Sequence, residues 1–220
     1  MNSTNTYGTI TSLDGGLHLL NHPLASHIMT HLRDKTTKPA TFRTLATQLT
    51  LLLAIEATRQ LTLETKLVET PLEKYMGDIL KQNPIVVVPI LRAGLSMVQP
   101  FVDTFPDVSI GYIGLERDHE TAKARSYYCK LPALHDRLVF AVDPMLATGG
   151  SACQALTLLK NSGAIRPYFV CIVAAPEGYA ALRKEHPDVP VYAAALDREL
   201  NAKSYILPGL GDFGDRLYGT

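Results

Sequence analysis

A series of short apolar runs, spaced along the second half of the chain, constrains what it can fold into. Residues 85–90 (Ile-Val-Val-Val-Pro-Ile), 108–113, 138–142 (Leu-Val-Phe-Ala-Val), 168–174 and 189–195 are rich in β-branched and other apolar side chains. They are too short for buried helices and read as strands. Helical segments are expected between them, over 94–102, over 151–160 with Gly163 near its C-terminal end, and over 176–185. Upstream, Phe42, Leu45, Ala46, Leu49, Leu52 and Leu53 fall on one helical face within 39–61, with Pro39 suited to the first turn. Apolar strands separated by helices predict an α/β fold, a Rossmann-like parallel sheet covered on both faces. Such sheets bind ligands beyond the carboxyl ends of their strands. The loops after Val88, Ile113, Val142 and Ala174 are therefore where a site is expected.

Composition narrows the function classes. With 220 residues and 46% hydrophobic content the chain can bury one substantial core, and it reads as a single domain over 1–220. Lys and Arg number 21 and Asp and Glu 21, so no net charge draws the chain to nucleic acid. Cys129, Cys153 and Cys171 are odd in number and widely spaced. Without a CxxC pair they point to neither a disulfide framework nor a zinc cage, and no protein-held metal is expected. Residues 1–14 are polar, lack the pattern of a signal peptide, and read as a loose N-terminal extension. The apolar stretches 49–55 and 85–91 are too short to span a membrane. A soluble, cytoplasmic protein is expected.

The segment 139–151 carries the most chemistry. A buried strand ends at Val142, and Asp143, Pro144, Met145, Leu146, Ala147, Thr148, Gly149, Gly150 and Ser151 then lead into a helix. Glycines let the backbone approach a ligand closely. Successive N–H groups at such a turn, with the positive end of the following helix, form an anion nest. Thr148 and Ser151 add hydroxyl donors. A carboxylate in direct contact would repel a phosphate, so Asp143 is better suited to sugar hydroxyls. One sugar phosphate accounts for both features, although the same turn read alone serves as an ordinary strand-to-helix connection. It is neither a Walker loop nor a GxGxxG fingerprint.

Arg92 follows the strand over 85–90 and lies beside Gly94, where a guanidinium can hold a second anion in two-pronged fashion. Residues 114–121, with the polar stretch that follows, read alone as a charged mobile loop. At the C-terminus, Tyr205-Ile206-Leu207-Pro208-Gly209-Leu210-Gly211-Asp212-Phe213-Gly214-Asp215-Arg216 is forced by its glycines and proline into a tight path. Such a path exposes backbone donors and acceptors to a flat ligand, and Ile206 can supply an apolar wall.

Together these segments resemble the uracil phosphoribosyltransferase family. Residues 142–151 are similar to the loop that binds phosphoribosyl pyrophosphate (PRPP), in this family's variant, which reads Asp143-Pro144 where most such loops carry two adjacent acidic residues. The resemblance runs from about His22 to Thr220, with further matches at Ala174-Ala175-Pro176-Glu177-Gly178, Asp197, Leu200 and Asn201. It implies a fold with a flexible lid and a C-terminal hood over the base. It implies that Thr148 to Ser151 hold the 5′-phosphate within a PRPP-binding set that runs from Asp143 through Pro144, Met145, Leu146 and Ala147 to Ser151. Asp143 would face the ribose, and Arg92 and Arg117 would contact pyrophosphate. Ile206, Gly211, Asp212 and Phe213 would line uracil, and Asp212 would also touch PRPP. Arg92, Arg117 and Asp212 are the implied catalytic residues. Mg²⁺ carried with PRPP, a homodimer or higher homo-oligomer, and a possible GTP effector belong to the same implication. Four departures stand out: Leu115-Glu116 in place of Met-Tyr, Ala122-Lys123-Ala124-Arg125 in the lid, Ser204 where Gly is common, and Phe213 where Ala is usual. A phosphoribosyltransferase for another base, or a PRPP-binding regulator of the same fold, are the rival readings.

Overall fold

The computed structural model describes residues 11–13, 15–81, 84–105, 107–117 and 124–220. Strands β1 (Thr11–Leu13) and β2 (Leu17–Leu19) precede helices α1 (Pro23–Arg33) and α2 (Pro39–Ala57). Strands β3 (Leu63–Glu69), β4 (Lys74–Leu80) and β5 (Ile85–Leu91) follow, then a 3-10 turn (Ala93–Met97) running into α3 (Val98–Thr104). Next come β6 (Ser109–Ile110), β7 (Tyr112–Arg117), β8 (Ala124–Lys130), β9 (Leu138–Val142), β10 (Met145–Leu146) and α4 (Gly150–Asn161). The chain closes with β11 (Pro167–Ala174), α5 (Pro176–Glu185), β12 (Val191–Leu196), β13 (Glu199–Leu200), β14 (Ile206–Leu207) and α6 (Phe213–Tyr218).

The ten-stranded sheet has the order β1-β2-β12-β11-β9-β5-β7-β8, with β10 beside β11 and β6 beside β5. From β2 to β7 the neighbours are parallel. Antiparallel pairs stand at the margins, β1 with β2 and β7 with β8. The expected parallel α/β architecture is present, and its two faces sort the strand residues by alternation. Val87, Phe140, Val142, Val170 and Ile172 pack with Phe42, Leu49 and Leu53 of α2 and Phe101 of α3. Val86, Val88, Val139, Ala141 and Phe169 pack instead with Leu156 and Leu159 of α4 and Leu182 of α5.

Several boundaries differ from the sequence expectation for identifiable reasons. Helix α2 stops at Ala57 rather than at 61, because Thr58 leaves helical geometry and the amides of Arg59 and Leu61 then bond three residues back, to Glu56 O and Thr58 O. The segment 94–102 starts as a 3-10 turn, in which Leu95 N bonds to Arg92 O and Val98 N to Leu95 O, each three residues back, while Gly94 lies close against the Val142 carbonyl. The strand expected over 108–113 divides at Gly111, whose amide donates to the Val87 carbonyl. The last expected strand begins at Val191 rather than 189, just after Pro190, which has no N–H to donate. Residues 11–13 were expected to be loose and instead pair with Leu17–Leu19 across a turn containing Gly15 at φ 74°. The rest of that extension, 1–10 and 14, lies outside the described residues.

Two longer hairpins were likewise not anticipated. The arms of the expected mobile loop, β7 and β8, form an antiparallel ladder from Tyr112↔Lys130 to Arg117↔Ala124. Residues 118–123 at the tip of the expected lid lie outside the described residues. Among the described residues strands β3 and β4 pair only with each other, and Leu63, Leu67, Tyr75, Met76 and Leu80 on them are exposed.

Candidate active site

The loop after β9 sits at the carboxyl end of a central strand, where parallel β5 and β11 flank it. Pro144 O accepts from Ile172 N and Val173 N, and Leu146 O accepts from Ala175 N, so Pro144 to Leu146 are pinned to β11. Gly149 has φ 84° and precedes α4, whose first closing bond runs from Cys153 N to Gly149 O. The N–H groups of Thr148, Gly149, Gly150, Ser151 and Ala152 have no acceptor among the described residues. Nor do the hydroxyls of Thr148 and Ser151 have a partner there. Donors without acceptors, at a helix start, make a concave anion site. The cavity at this place measures about 180 Å³ and is lined by Asp143, Met145, Leu146, Ala147, Thr148, Gly149, Gly150, Ser151, Ala152 and Ser204.

Helix α5 buttresses the loop from behind. A β-carbon at Gly178 would collide with the Ala147 carbonyl oxygen, and one at Gly149 would stand 2.8 Å from the Gly178 carbonyl oxygen. The two glycines allow α5 and the loop to touch backbone to backbone.

Asp143 lies on the cavity floor, partly covered. Burial pushes its carboxyl up to about 7, with only a long 3.5 Å contact from Met145 N opposing the shift. Its neighbour Cys171 is buried, and burial followed by the Asp143 charge pushes that thiol well above its usual range. Cys153 is likewise buried and pushed up to about 11, chiefly by burial. Both are inert thiols; Cys129 is free and exposed.

Arg92 follows β5, and the Leu91–Arg92 peptide is cis. The side chain is exposed and has no ion pair or hydrogen bond to a described residue. Close approach at Gly94 sets this turn against the end of β9, beside Asp143. Strand β7 pairs with β5 at Leu91↔Gly114, so it leaves from the same edge of the sheet. The backbone of Arg117 ends β7, and its side chain lies outside the described structure.

The C-terminal segment passes over the same edge. The Leu207–Pro208 peptide is cis, and Gly209 and Gly211 hold φ of 61° and 81°. The Asp212 side chain caps α6 by accepting from Asp215 N at 2.9 Å. The N–H groups of Gly211, Asp212, Phe213 and Gly214 have no acceptor among the described residues. Phe213 turns its ring inward, edge to face with Phe42 of α2 at 5.1 Å between centroids. It therefore offers its backbone, not its ring, to the outside. Ile206 is buried in the core.

Arg92, Asp143 to Ser151 and the hood thus converge on one end of the sheet. The contacts of three further residues were not legible in the sequence. Ser204 lines the cavity; Glu177 Oε1 accepts from Leu200 N at 2.9 Å and ties the hood to α5; Arg33 grips the hood from α1. The unusual residue type at Ser204 was visible in the sequence, but its contact with the loop was not.

An anion nest after one parallel strand and a cationic turn after its neighbour define a phosphoribosyltransferase of type I architecture. A purine phosphoribosyltransferase from Pyrococcus horikoshii shares the fold alone, at 16% identity and a TM-score of 0.50 over 70% of this chain and 84% of that one. The particular family follows from closer relatives. A uracil phosphoribosyltransferase from Fervidobacterium nodosum is 50% identical over 93% of this chain and 99% of its own. One from a Geobacillus strain is 48% identical over 94% and 99%. The solved AQ2163 protein from Aquifex aeolicus superposes with a TM-score of 0.87 at 36% identity, over 93% of this chain and 98% of that one. The uracil phosphoribosyltransferase family profile matches residues 19–220, and the chain belongs to that family.

Proposed function

We propose that the protein transfers the phosphoribosyl group of PRPP to uracil, giving UMP and pyrophosphate, as a pyrimidine-salvage transferase. The observation that carries this reading is the pairing of two sets of open backbone donors on one edge of the sheet, Thr148 to Ala152 and Gly211 to Gly214. The first set suits a 5′-phosphate and the second the carbonyl edge of a pyrimidine. Asp143 accepts from the ribose hydroxyls. The C1′–O bond to pyrophosphate breaks and the N1–C1′ bond forms, through an oxocarbenium-like transition state, and the N1 proton of uracil is released to solvent. Arg92 and Arg117 balance the charge that develops on the departing pyrophosphate. The hood holds the base in line. Asp212 already spends one carboxylate oxygen capping α6, which leaves the other for PRPP. In this reading the β7–β8 hairpin covers the site and limits hydrolysis.

Mg²⁺ enters with PRPP and neutralises pyrophosphate charge when bound. Among the described residues no group of three or more His, Cys, Asp or Glu side chains could hold a metal, and the carboxylates of Asp143 and Asp212 remain open to a substrate-borne cation. We also propose a homo-oligomer built on the β3–β4 hairpin. A lone two-stranded hairpin is marginal in water, and Leu67 at 57% and Tyr75 at 59% exposure call for a covering surface. Met76→Lys would then lower the sedimentation coefficient. A cytoplasmic location is in keeping with the free cysteines. Among the described residues no helix is long and apolar enough to cross a membrane. Addition of GTP to the assay tests the effector.

The test is UMP formation from PRPP, Mg²⁺ and uracil, with cytosine, orotate and hypoxanthine alongside. UMP alone is expected, and Arg92→Ala or Arg117→Ala abolishes it. PRPP binding without product from any base would turn the reading towards a regulator.

A further inference from the structure

We propose that Ser204 is a ligand of the PRPP 5′-phosphate, donating its hydroxyl across the cavity from the nest of Thr148 to Ala152. The inference rests on the reading of that nest as the phosphate site. Every other residue lining the cavity belongs to the segment 143–152; Ser204 reaches it from the hood, more than fifty positions further along the chain. Its backbone N–H is already committed to the Asn201 carbonyl at 2.8 Å. Its hydroxyl makes no hydrogen bond to a described residue. The donor that the residue can still offer a ligand in the cavity is therefore its hydroxyl, the same group that Thr148 and Ser151 carry.

The position of this hydroxyl is set by its surroundings. Asn201 Oδ1 accepts from Lys203 N at 2.9 Å and Tyr205 N at 3.0 Å, and Asn201 N donates to Tyr205 O at 2.8 Å. The turn is closed around Ser204, which is held at φ 62°. The turn is in turn registered to the nest. Leu200 N donates to Glu177 Oε1 in the first turn of α5, and the adjacent Gly178 abuts the Ala147 carbonyl. A continuous path of contacts thus fixes Ser204 relative to the loop it faces. A dianionic phosphate bound by backbone donors on one side retains lone pairs on the other, and a hydroxyl hydrogen bond to a charged group is among the stronger kinds.

Binding of ribose 5-phosphate, PRPP and pyrophosphate to the full chain, measured by calorimetry, tests this with Ser204→Ala, Ser204→Gly and Thr148→Val. Alanine keeps the side-chain-bearing backbone at positive φ, whereas glycine relieves it; both remove the hydroxyl. Both are expected to weaken ribose 5-phosphate and PRPP by about tenfold and to leave pyrophosphate and the KM for uracil unchanged. Weakening by Thr148→Val with no change in either Ser204 variant would overturn the role of Ser204 and keep the phosphate site. No change in any of the three variants would overturn the proposal, and failure of ribose 5-phosphate to bind the parent chain would overturn the phosphate site itself. Equal weakening of pyrophosphate and ribose 5-phosphate in the Ser204 variants would show that they act through the fold, and would overturn the proposal.

Discussion

Arg33 and Asp197 meet in a two-pronged ion pair, Nη1 to Oδ2 at 2.7 Å and Nη2 to Oδ1 at 2.5 Å, which joins the end of α1 to the loop after β12. The pair also secures the hood. Gly209 N donates to Asp197 Oδ2 at 2.8 Å, and Gly209 O accepts from Arg33 Nη1 at 2.8 Å. Both backbone polar groups of a left-handed glycine are thereby fixed, two residues before the open donors of the hood begin. Asp197 is buried, so removing its carboxylate strands a guanidinium and an amide together. Asp197→Ala is expected to cost about 3 kcal/mol of unfolding free energy, read from denaturant titration. In steady-state assays the KM for uracil should rise more than that for PRPP. Equal rises in the two KM values would mean the pair serves only the fold.

Phe213 and Phe42 make a second anchor, with the Arg216 guanidinium 4.5 Å above the Phe42 ring. Phe213 is 2% exposed and its ring packs against α2. Phe213→Ala leaves a cavity and should destabilise the protein by about 3 to 5 kcal/mol. Its product ratio with uracil and cytosine offered together should match that of the parent. A change in that ratio would place the ring in the base pocket.

What the sequence made legible was chemistry carried by the backbone. The strand, acidic residue, glycine pair and helix of 138–151 are local, and their pattern predicts the strand, turn and helix that the structure shows. Helix α5 was read to its end residues, because Pro176 marks its start and a strand follows closely. The β3–β4 hairpin was missed because all of β3 and most of β4 is exposed, so no alternation of apolar and polar residues marks a buried face. Arg33 and Asp197 were not paired because they stand 164 positions apart and neither carries a local signature. Ser204 illustrates the same limit: an odd residue type was visible, but the cavity it lines exists only once hood and loop are folded together.

Gly178 offers a sharper probe of the loop than any of its own residues. It lies in a helix at ordinary φ, so an alanine there carries no backbone strain, and its β-carbon meets backbone oxygens of Ala147 and Leu146. Those atoms belong to the loop and cannot rotate aside as a side chain would. Gly178→Ala is expected to shift the loop and lower kcat/KM for PRPP by about a hundredfold. Gly163→Ala is the control. At φ 98° with nothing within 4 Å, it should lose about 1 kcal/mol of stability through backbone strain and keep its activity. Parallel losses of activity in the two variants would argue against contact as the cause.

Asp143 makes the stability of the free protein depend on pH. Burial holds its carboxyl at about 7, above its ordinary value of 3.8. A carboxyl with a raised folded value binds its proton more tightly in the native state than in the unfolded chain. Its ionisation therefore removes stability as pH climbs from the unfolded value through the folded one, and below the unfolded value the group has no such effect. Asp143→Asn has no proton to lose. Its melting temperature relative to the parent is expected to rise between about pH 5 and about pH 8, by about 2 °C or more. The gain in stability comes with a loss of function, since an amide is a weaker acceptor for ribose hydroxyls than a carboxylate. Weaker PRPP binding by the variant at the upper end of that range, converging on the parent as pH falls and the carboxyl takes up its proton, would tie the buried charge to the sugar. Melting curves that stay parallel across the range would show that Asp143 is solvated and ionised throughout.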